Sequence, residues 1–257
     1  LNPPTPVLTI SGHDPTGGAG IQADIQAILS QGCHPCSVIT CLTTQDTTNV
    51  RQIHPQPADT LREQLETLIA DIPIRAVKIG LLGSAAVARC VAEVLRKMEA
   101  EIVVLDPVLG AGGGRNLATE TLTNVICEEL LPLTTLVTPN HPEIHRLAGT
   151  PNTALAVEQL LATGCGAILL TGGDEPTPLI YNTLYSKGGV KTFSWERLPH
   201  GAHGSGCTLA SSLTALLALG LPLEEASRKA QQYTWNAIKY GFRPGKGQSI
   251  PYHLFWS

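Results

Sequence analysis

The sequence predicts an α/β fold, with a mostly parallel central sheet, helices on both faces and an antiparallel hairpin at one edge. Three observations predict it. Short apolar runs alternate with helical stretches along the chain, the rhythm of a parallel sheet with crossover helices. Polar residues and glycines gather at the carboxyl ends of those runs, where open α/β sheets bind ligands. One hairpin signal, Ser186-Lys187-Gly188-Gly189, separates two strand-like segments.

Val7-Leu8-Thr9-Ile10 is the first expected strand. It runs into Ser11-Gly12-His13-Asp14-Pro15-Thr16-Gly17-Gly18, and a helix follows with Ile21, Ile25, Ile28 and Leu29 at helical spacing. Further strands are expected at Val38-Ile39-Thr40-Cys41-Leu42, Ala76-Val77-Lys78-Ile79, Ile102-Val103-Val104-Leu105, Thr135-Leu136-Val137 and Ala167-Ile168-Leu169-Leu170. Helical patterns fill 58–70, 84–100, 119–130 and 152–163. The hairpin strands are read at 179–185 and 190–195. Helices at 205–219 and 223–240 follow, the second opened by Pro222.

Composition narrows the function. With 43% hydrophobic and 15% charged residues, the chain reads as a folded globule and not as a disordered one. A net charge of -4 without a basic run makes nucleic acid and anionic membrane poor partners. No apolar run reaches the ~18 residues of a membrane helix. Seven scattered cysteines, an odd number, read as reduced thiols and predict a cytoplasmic location. Residues 1–257 are expected to form one domain behind a flexible proline-rich tail at 1–6, which lacks the basic region of a secretory leader.

The segment Ala202-His203-Gly204-Ser205-Gly206-Cys207-Thr208 carries the most chemistry. Gly204, Ser205 and Gly206 form a tight turn at a helix N-terminus, where backbone N–H groups and the helix dipole bind anions. Cys207 stands where the dipole favours a thiolate. An anion site beside a group that takes a proton suits phosphoryl transfer to an alcohol. Asp24 falls at the edge of its helix's apolar stripe, so its carboxylate needs a partner, ligand or protein. Gln45, beyond a strand end, offers the donor and acceptor pair that fits a nitrogen heterocycle. Asp106 and Glu143 suit Mg²⁺ held through water, although Asn140 and Glu143 equally form a capping box. Cys33-His34-Pro35-Cys36 lacks a second pair at zinc spacing, and no Gly-x-x-x-x-Gly-Lys-Ser/Thr loop is present.

Together these residues resemble the hydroxymethylpyrimidine/phosphomethylpyrimidine kinase family of thiamine biosynthesis, in the ribokinase-like superfamily. The resemblance rests on the run from Ile10 through Gly12 to Asp24, on Ser37-Val38-Ile39-Thr40 with Gln45, and on Lys78-Ile79-Gly80-Leu81-Leu82. It continues in Val104-Leu105-Asp106-Pro107-Val108, Thr138-Pro139-Asn140-His141-Pro142-Glu143 and His203-Gly204-Ser205-Gly206-Cys207-Thr208. It implies a ribokinase-like three-layer sandwich, with ATP and Mg²⁺ as cofactors and a homodimer. It also implies Cys207 as the base, and Gly204, Ser205 and Gly206 as the anion hole. Asp24, Gln45, Gly12, Leu81 and Val108 would then line the pyrimidine site. Asp106, Asn140, Glu143, Thr171 and Gly173 would serve ATP and Mg²⁺, with Asp106 and Glu143 nearest the metal. The chain departs from the family pattern at Leu81 (usually Met), at Thr171 (usually Lys) and at Gly112-Gly113-Gly114 (usually Lys-Ser-Gly). Two cations expected near the phosphates are thus absent, and Lys78 and Arg115 are the candidate substitutes. The implied reaction is ATP-dependent phosphorylation of 4-amino-5-hydroxymethyl-2-methylpyrimidine and of its monophosphate. A pyridoxal or pyridoxine kinase is the alternative; a weakened pyrimidine-binding sensor is the alternative of another class.

Overall fold

The computed structural model describes residues 3–98, 100–111 and 114–256. Its centre is one nine-stranded sheet in the order β3-β2-β1-β4-β5-β6-β7-β8-β9. The strands are β1 (Pro6–His13), β2 (His34–Gln45), β3 (Val50–Pro55), β4 (Ala76–Ile79), β5 (Ile102–Leu105), β6 (Leu136–Val137), β7 (Ala167–Leu170), β8 (Leu179–Ser186) and β9 (Gly189–Glu196). The run from β2 through β1, β4, β5 and β6 to β7 is parallel. The expected hairpin β8–β9 adds antiparallel to β7. At the other edge β3 pairs antiparallel with β2, an element the sequence did not announce. Its segment, Val-Arg-Gln-Ile-His-Pro, is mostly exposed and lacks the apolar alternation that marks a strand. The strand order reverses between β1 and β4, the position at which such sheets open a ligand crevice.

Side-chain alternation sends each strand's residues to two helical layers. Leu8, Ile10, Val77, Ile79, Val103 and Leu105 pack against α2 (Ala58–Asp71), α3 (Ala85–Lys97), α4 (Glu120–Val125), α5 (His141–Ala148) and α6 (Thr153–Ala162). Val7, Ala76, Val104 and Leu169 face α1 (Gly20–Ser30), α7 (Ser205–Ala218) and α8 (Leu223–Lys239). Where a helix was expected as far as 130, α4 ends at Val125 and passes through a π turn, Ile126–Leu130, into a 3₁₀ turn at Leu131–Leu133. Pro132 cannot donate an amide to the preceding turn.

One expectation is corrected. Of the tail expected at 1–6, Pro6 already belongs to β1 and the Thr5 carbonyl accepts from His34 N at 2.9 Å; Leu1 and Asn2 lie outside the described residues. Cys33 and Cys36 are buried in different clusters, on opposite faces of the sheet, so they form no joint site. Among the described residues no helix is long and apolar enough to cross a membrane.

Candidate active site

Helix α7 begins over the carboxyl ends of β1 and β4. Gly204 precedes it in the left-handed region, at φ 88°. A side chain there would strike the Gly18 carbonyl, since a Cβ would lie 1.8 Å from that oxygen; only glycine fits. No side chain caps α7, which leaves the first-turn N–H groups of Ser205, Gly206 and Cys207 without intrahelical partners. This is the turn that the sequence assigns to an anion. Gly20, at the start of α1, also approaches backbone closely, a Cβ there falling 2.3 Å from the Gly12 carbonyl oxygen, and its N–H donates to the Cys207 sulfur. Two helix N-termini therefore converge on Cys207.

Beneath that thiol lies a buried charge cluster. Thr9 on β1 and Lys78 on β4 are register partners, and their side chains meet Asp24 from α1 and Ser211 from α7. Lys78 Nζ donates to both Asp24 carboxylate oxygens at 2.8 Å, Thr9 Oγ1 to Oδ2 at 2.6 Å and Ser211 Oγ to Oδ1 at 2.7 Å. Asp24 and Lys78 are 0% exposed. This departs from the pyrimidine-binding role expected for Asp24: both its oxygens are buried and engaged inside the protein. The amphipathic phase was right that Asp24 needs a partner, and the partner is Lys78. Burial works against the Lys78 ammonium, but Asp24, Cys207 and Asp106 outweigh it and hold its pKa above the ordinary value. Lys78 is therefore a fixed internal cation, spent on Asp24, and no substitute for a surface lysine. Arg115 is no substitute either: its guanidinium donates to the backbone carbonyls of Val50 and Arg51 on β3.

Cys207 also differs from expectation. Burial, reinforced by the Asp106 and Asp24 carboxylates, raises its thiol pKa; Lys78 and the Gly20 amide oppose the rise without reversing it. Cys207 is only half-buried, yet the helix dipole, which falls off within one turn, loses to desolvation of the thiol beside two acids. The resting residue is a thiol.

The remaining site residues ring this centre. Gly12 and Leu81 touch, a Cβ on Gly12 falling 3.0 Å from Leu81 Cδ2, and Thr40 Oγ1 fixes the Leu81 carbonyl. Val108 is half-buried just beyond β5, the strand beside β4. A bulge between Thr44 and Gln45 ends β2, and the Gln45 amide bonds the Asp14 carboxylate. Asp14 also accepts from Thr16 N (2.8 Å), Ala19 N (2.8 Å) and His203 Nε2 (3.1 Å). Burial pushes its pKa up, but His203, Thr16 and Gln45 prevail and hold it at about 2. Asp14 thus ties the glycine loop of β1 to the residue preceding the anion turn. Sequence reasoning quoted Asp14 without giving it a role; its place two residues before Thr16 is an Asx-type turn signal.

On the other side of Cys207 lie the two acids expected near Mg²⁺. The Asp106 carboxylate is buried, its Oδ2 has no hydrogen-bond partner, and both oxygens lie within 3.8 Å of where a Gly206 Cβ would stand. Glu143 closes the expected capping box: Oε2 accepts from Asn140 N at 3.0 Å and Asn140 Oδ1 from Glu143 N at 2.8 Å. Burial, with Asp106 nearby, pushes the Glu143 pKa up to about 8. An orphaned acid oxygen beside a second electrostatically frustrated acid fits a divalent cation that keeps most of its waters. Asn140 bridges to Thr171 at the end of β7. The following loop, with Gly172 and Gly173, is pinned by Arg197, which donates to the carbonyls of Gly172, Gly173, Glu175 and Thr177. Gly112 and Gly113 lie outside the described residues.

Comparison with known proteins identifies the family. The family model described as phosphomethylpyrimidine kinase matches residues 14–253. The chain is 36% identical over 262 residues to the hydroxymethylpyrimidine/phosphomethylpyrimidine kinase of Haemophilus influenzae, covering 98% of this chain and 97% of that one. The Escherichia coli protein of the same name is 35% identical, with 96% of each chain covered. The thiamine biosynthesis bifunctional protein ThiED of Geobacter sulfurreducens is 37% identical, and this chain spans 52% of its length. Among solved structures, an ADP complex of Bacillus subtilis pyridoxal kinase has a TM-score of 0.90 at 28% identity, covering 98% of both chains. A phosphomethylpyrimidine kinase from Clostridium difficile has a TM-score of 0.80 at 33% identity, covering 91% of this chain and 99% of that one.

Proposed function

The chain belongs to the phosphomethylpyrimidine kinase family, and from that premise we propose that it transfers the γ-phosphoryl group of ATP to the hydroxymethyl group of 4-amino-5-hydroxymethyl-2-methylpyrimidine and to the resulting monophosphate. The observation that carries this reading is the uncapped amide turn Gly204–Cys207, with a thiol in its first helical turn, at the switch point of the sheet. The N–H groups of Ser205, Gly206 and Cys207 take the charge that grows on the transferred group. As the hydroxyl oxygen bonds phosphorus and the bond to ADP breaks, the hydroxyl proton passes to the Cys207 sulfur. Cys207 accepts it only as a thiolate, and Lys78 is the cation that favours that form. Gln45 spends one amide N–H on Asp14 and offers its other N–H and its carbonyl to the ring, with Gly12, Leu81 and Val108 as walls; Asp14 and His203 hold the two loops that meet there. Asp106 and Glu143 would hold Mg²⁺, which neutralises phosphate charge when bound. Asn140, Thr171 and Gly173 form the floor under the nucleotide phosphates. The whole chain acts as one kinase domain, a cytoplasmic homodimer in the full reading.

Pyridoxal is the second substrate to consider, because the pyridoxal kinase fold superimposes along nearly the whole chain. A coupled ADP-release assay against the pyrimidine alcohol, its monophosphate and pyridoxal tests both. Turnover is expected with the pyrimidines; ADP release with pyridoxal alone would replace this reading by the second.

A further inference from the structure

After α8 the chain turns back across the active-site face. Phe242 and Ile250 pair antiparallel, and Ser249 O accepts from His203 N at 2.8 Å, so this segment borders the anion turn. Four residues on, His253 is 2% exposed, and its carbonyl accepts from Tyr233 Oη (3.1 Å) and Ser30 Oγ (3.2 Å). Its ring reaches the first turn of α7: Nε2 lies 2.9 Å from Thr208 Oγ1. Thr208 Oγ1 is itself 2.8 Å from the Gly204 carbonyl, to which it donates. A hydroxyl has one proton to give. With that proton on Gly204 O, Thr208 accepts from the ring, and Nε2 of His253 carries the hydrogen.

The chain of bonds runs His253 Nε2–H to Thr208 Oγ1–H to Gly204 C=O. The Gly204 carbonyl and the Ser205 N–H belong to one planar peptide and point in opposite directions. Holding that carbonyl down into the helix holds the Ser205 N–H outward, toward the anion. Thr208 N bonds the same carbonyl at 2.9 Å, and the hydroxyl adds a second donor to it. We propose that His253 is a positioning residue for phosphoryl transfer, fixing through Thr208 the peptide plane whose amide receives the transferred group. The proposal rests on the kinase reading for its kinetic consequence and on the bond chain alone for its structural one. Burial lowers the ring's pKa to about 4, which keeps it neutral as the assignment needs.

The test uses His253→Leu, Thr208→Val, Thr208→Ser and the His253→Leu/Thr208→Val double variant. Kinetics are measured well below each variant's unfolding temperature, and amide hydrogen exchange is followed at residues 205–207 without substrate. The proposal expects kcat to fall about tenfold in His253→Leu and Thr208→Val, with KM for the pyrimidine alcohol within about twofold. It expects Thr208→Ser to retain activity, the turn amides to exchange faster in the two deficient variants, and the double variant to be no worse than either single one. Should His253→Leu fail to fold, Thr208→Val with its Ser control carries the test. Wild-type kcat and unchanged turn exchange in either His253→Leu or Thr208→Val would overturn it, as would losses that simply add. A wild-type protein inactive on the pyrimidine would count against the kinase reading, and the exchange arm would still decide the role of His253.

Discussion

Asp24 sits at the edge of its helix's apolar stripe because it faces a lysine across the α1–sheet interface. Removing one partner of such a pair leaves a buried charge uncompensated. Asp24→Ala should lower unfolding free energy by about 3–5 kcal/mol in urea titrations. A variant of normal stability that only loses pyrimidine affinity would return Asp24 to the ligand site. Half of this was legible: an acid on a half-apolar helix and a lysine inside the apolar run Ala76-Val77-Lys78-Ile79 each demand a partner. That the two demands meet depends on which strand lies under α1, and this is tertiary information. Cys207 was legible as the candidate base, while its proton affinity was not, since the groups that set it, Lys78, Asp106, Asp24 and Gly20, come from distant parts of the chain. Cys207→Ala should lower kcat by roughly 10²–10⁴ and change substrate binding less. Because the thiol pKa is raised and the thiolate is the acceptor, wild-type turnover should climb as pH rises above neutrality. A pH profile flat from 7 to 9, about the span of an ordinary thiol's titration, would exclude the thiol as base.

At the scale of elements, the motif-bearing turns were the most legible parts, because glycine and capping chemistry are local. The box on α5 and the glycine at the head of α7 formed as read. The edge strand β3 was invisible, since exposed edge strands need no apolar alternation. The loop after β7 shows what remains of the missing-lysine problem. Thr171 Oγ1 lies 3.3 Å from the Pro139 carbonyl, and neither Lys78 nor Arg115 stands in for the absent cation. Thr171→Lys should therefore raise kcat or lower KM for ATP, and steady-state kinetics at varied ATP and Mg²⁺ will show it. No change in either parameter would mean that the Gly204–Cys207 amides and Mg²⁺ already suffice.

Across the whole molecule, alternating strand and helix signals were enough to place the layers, and the strand order supplied the crevice. What the sequence hid was closure: the segment after α8 touches the β2–β3 hairpin through Thr47 and α7 through His253. Nothing in its pattern announced a long-range role. That closure has a pH signature. His253 has a folded pKa of about 4 against an ordinary 6.5, so the unfolded chain binds the extra proton first. Stability should fall as pH drops from about 6.5 toward 4, by about 3 kcal/mol in all from this group. Comparing urea midpoints at both pH values for wild type and His253→Leu isolates the effect, and an identical acid loss in both proteins would contradict it.

The central claim is phosphoryl transfer to a hydroxymethylpyrimidine at the α7 turn. Phosphorus NMR of the chain incubated with ATP, Mg²⁺ and the pyrimidine alcohol tests it most directly. The account predicts a new phosphomonoester resonance growing in step with ADP, and its loss in Cys207→Ala. Unchanged ATP, or free phosphate in place of the ester, would contradict it.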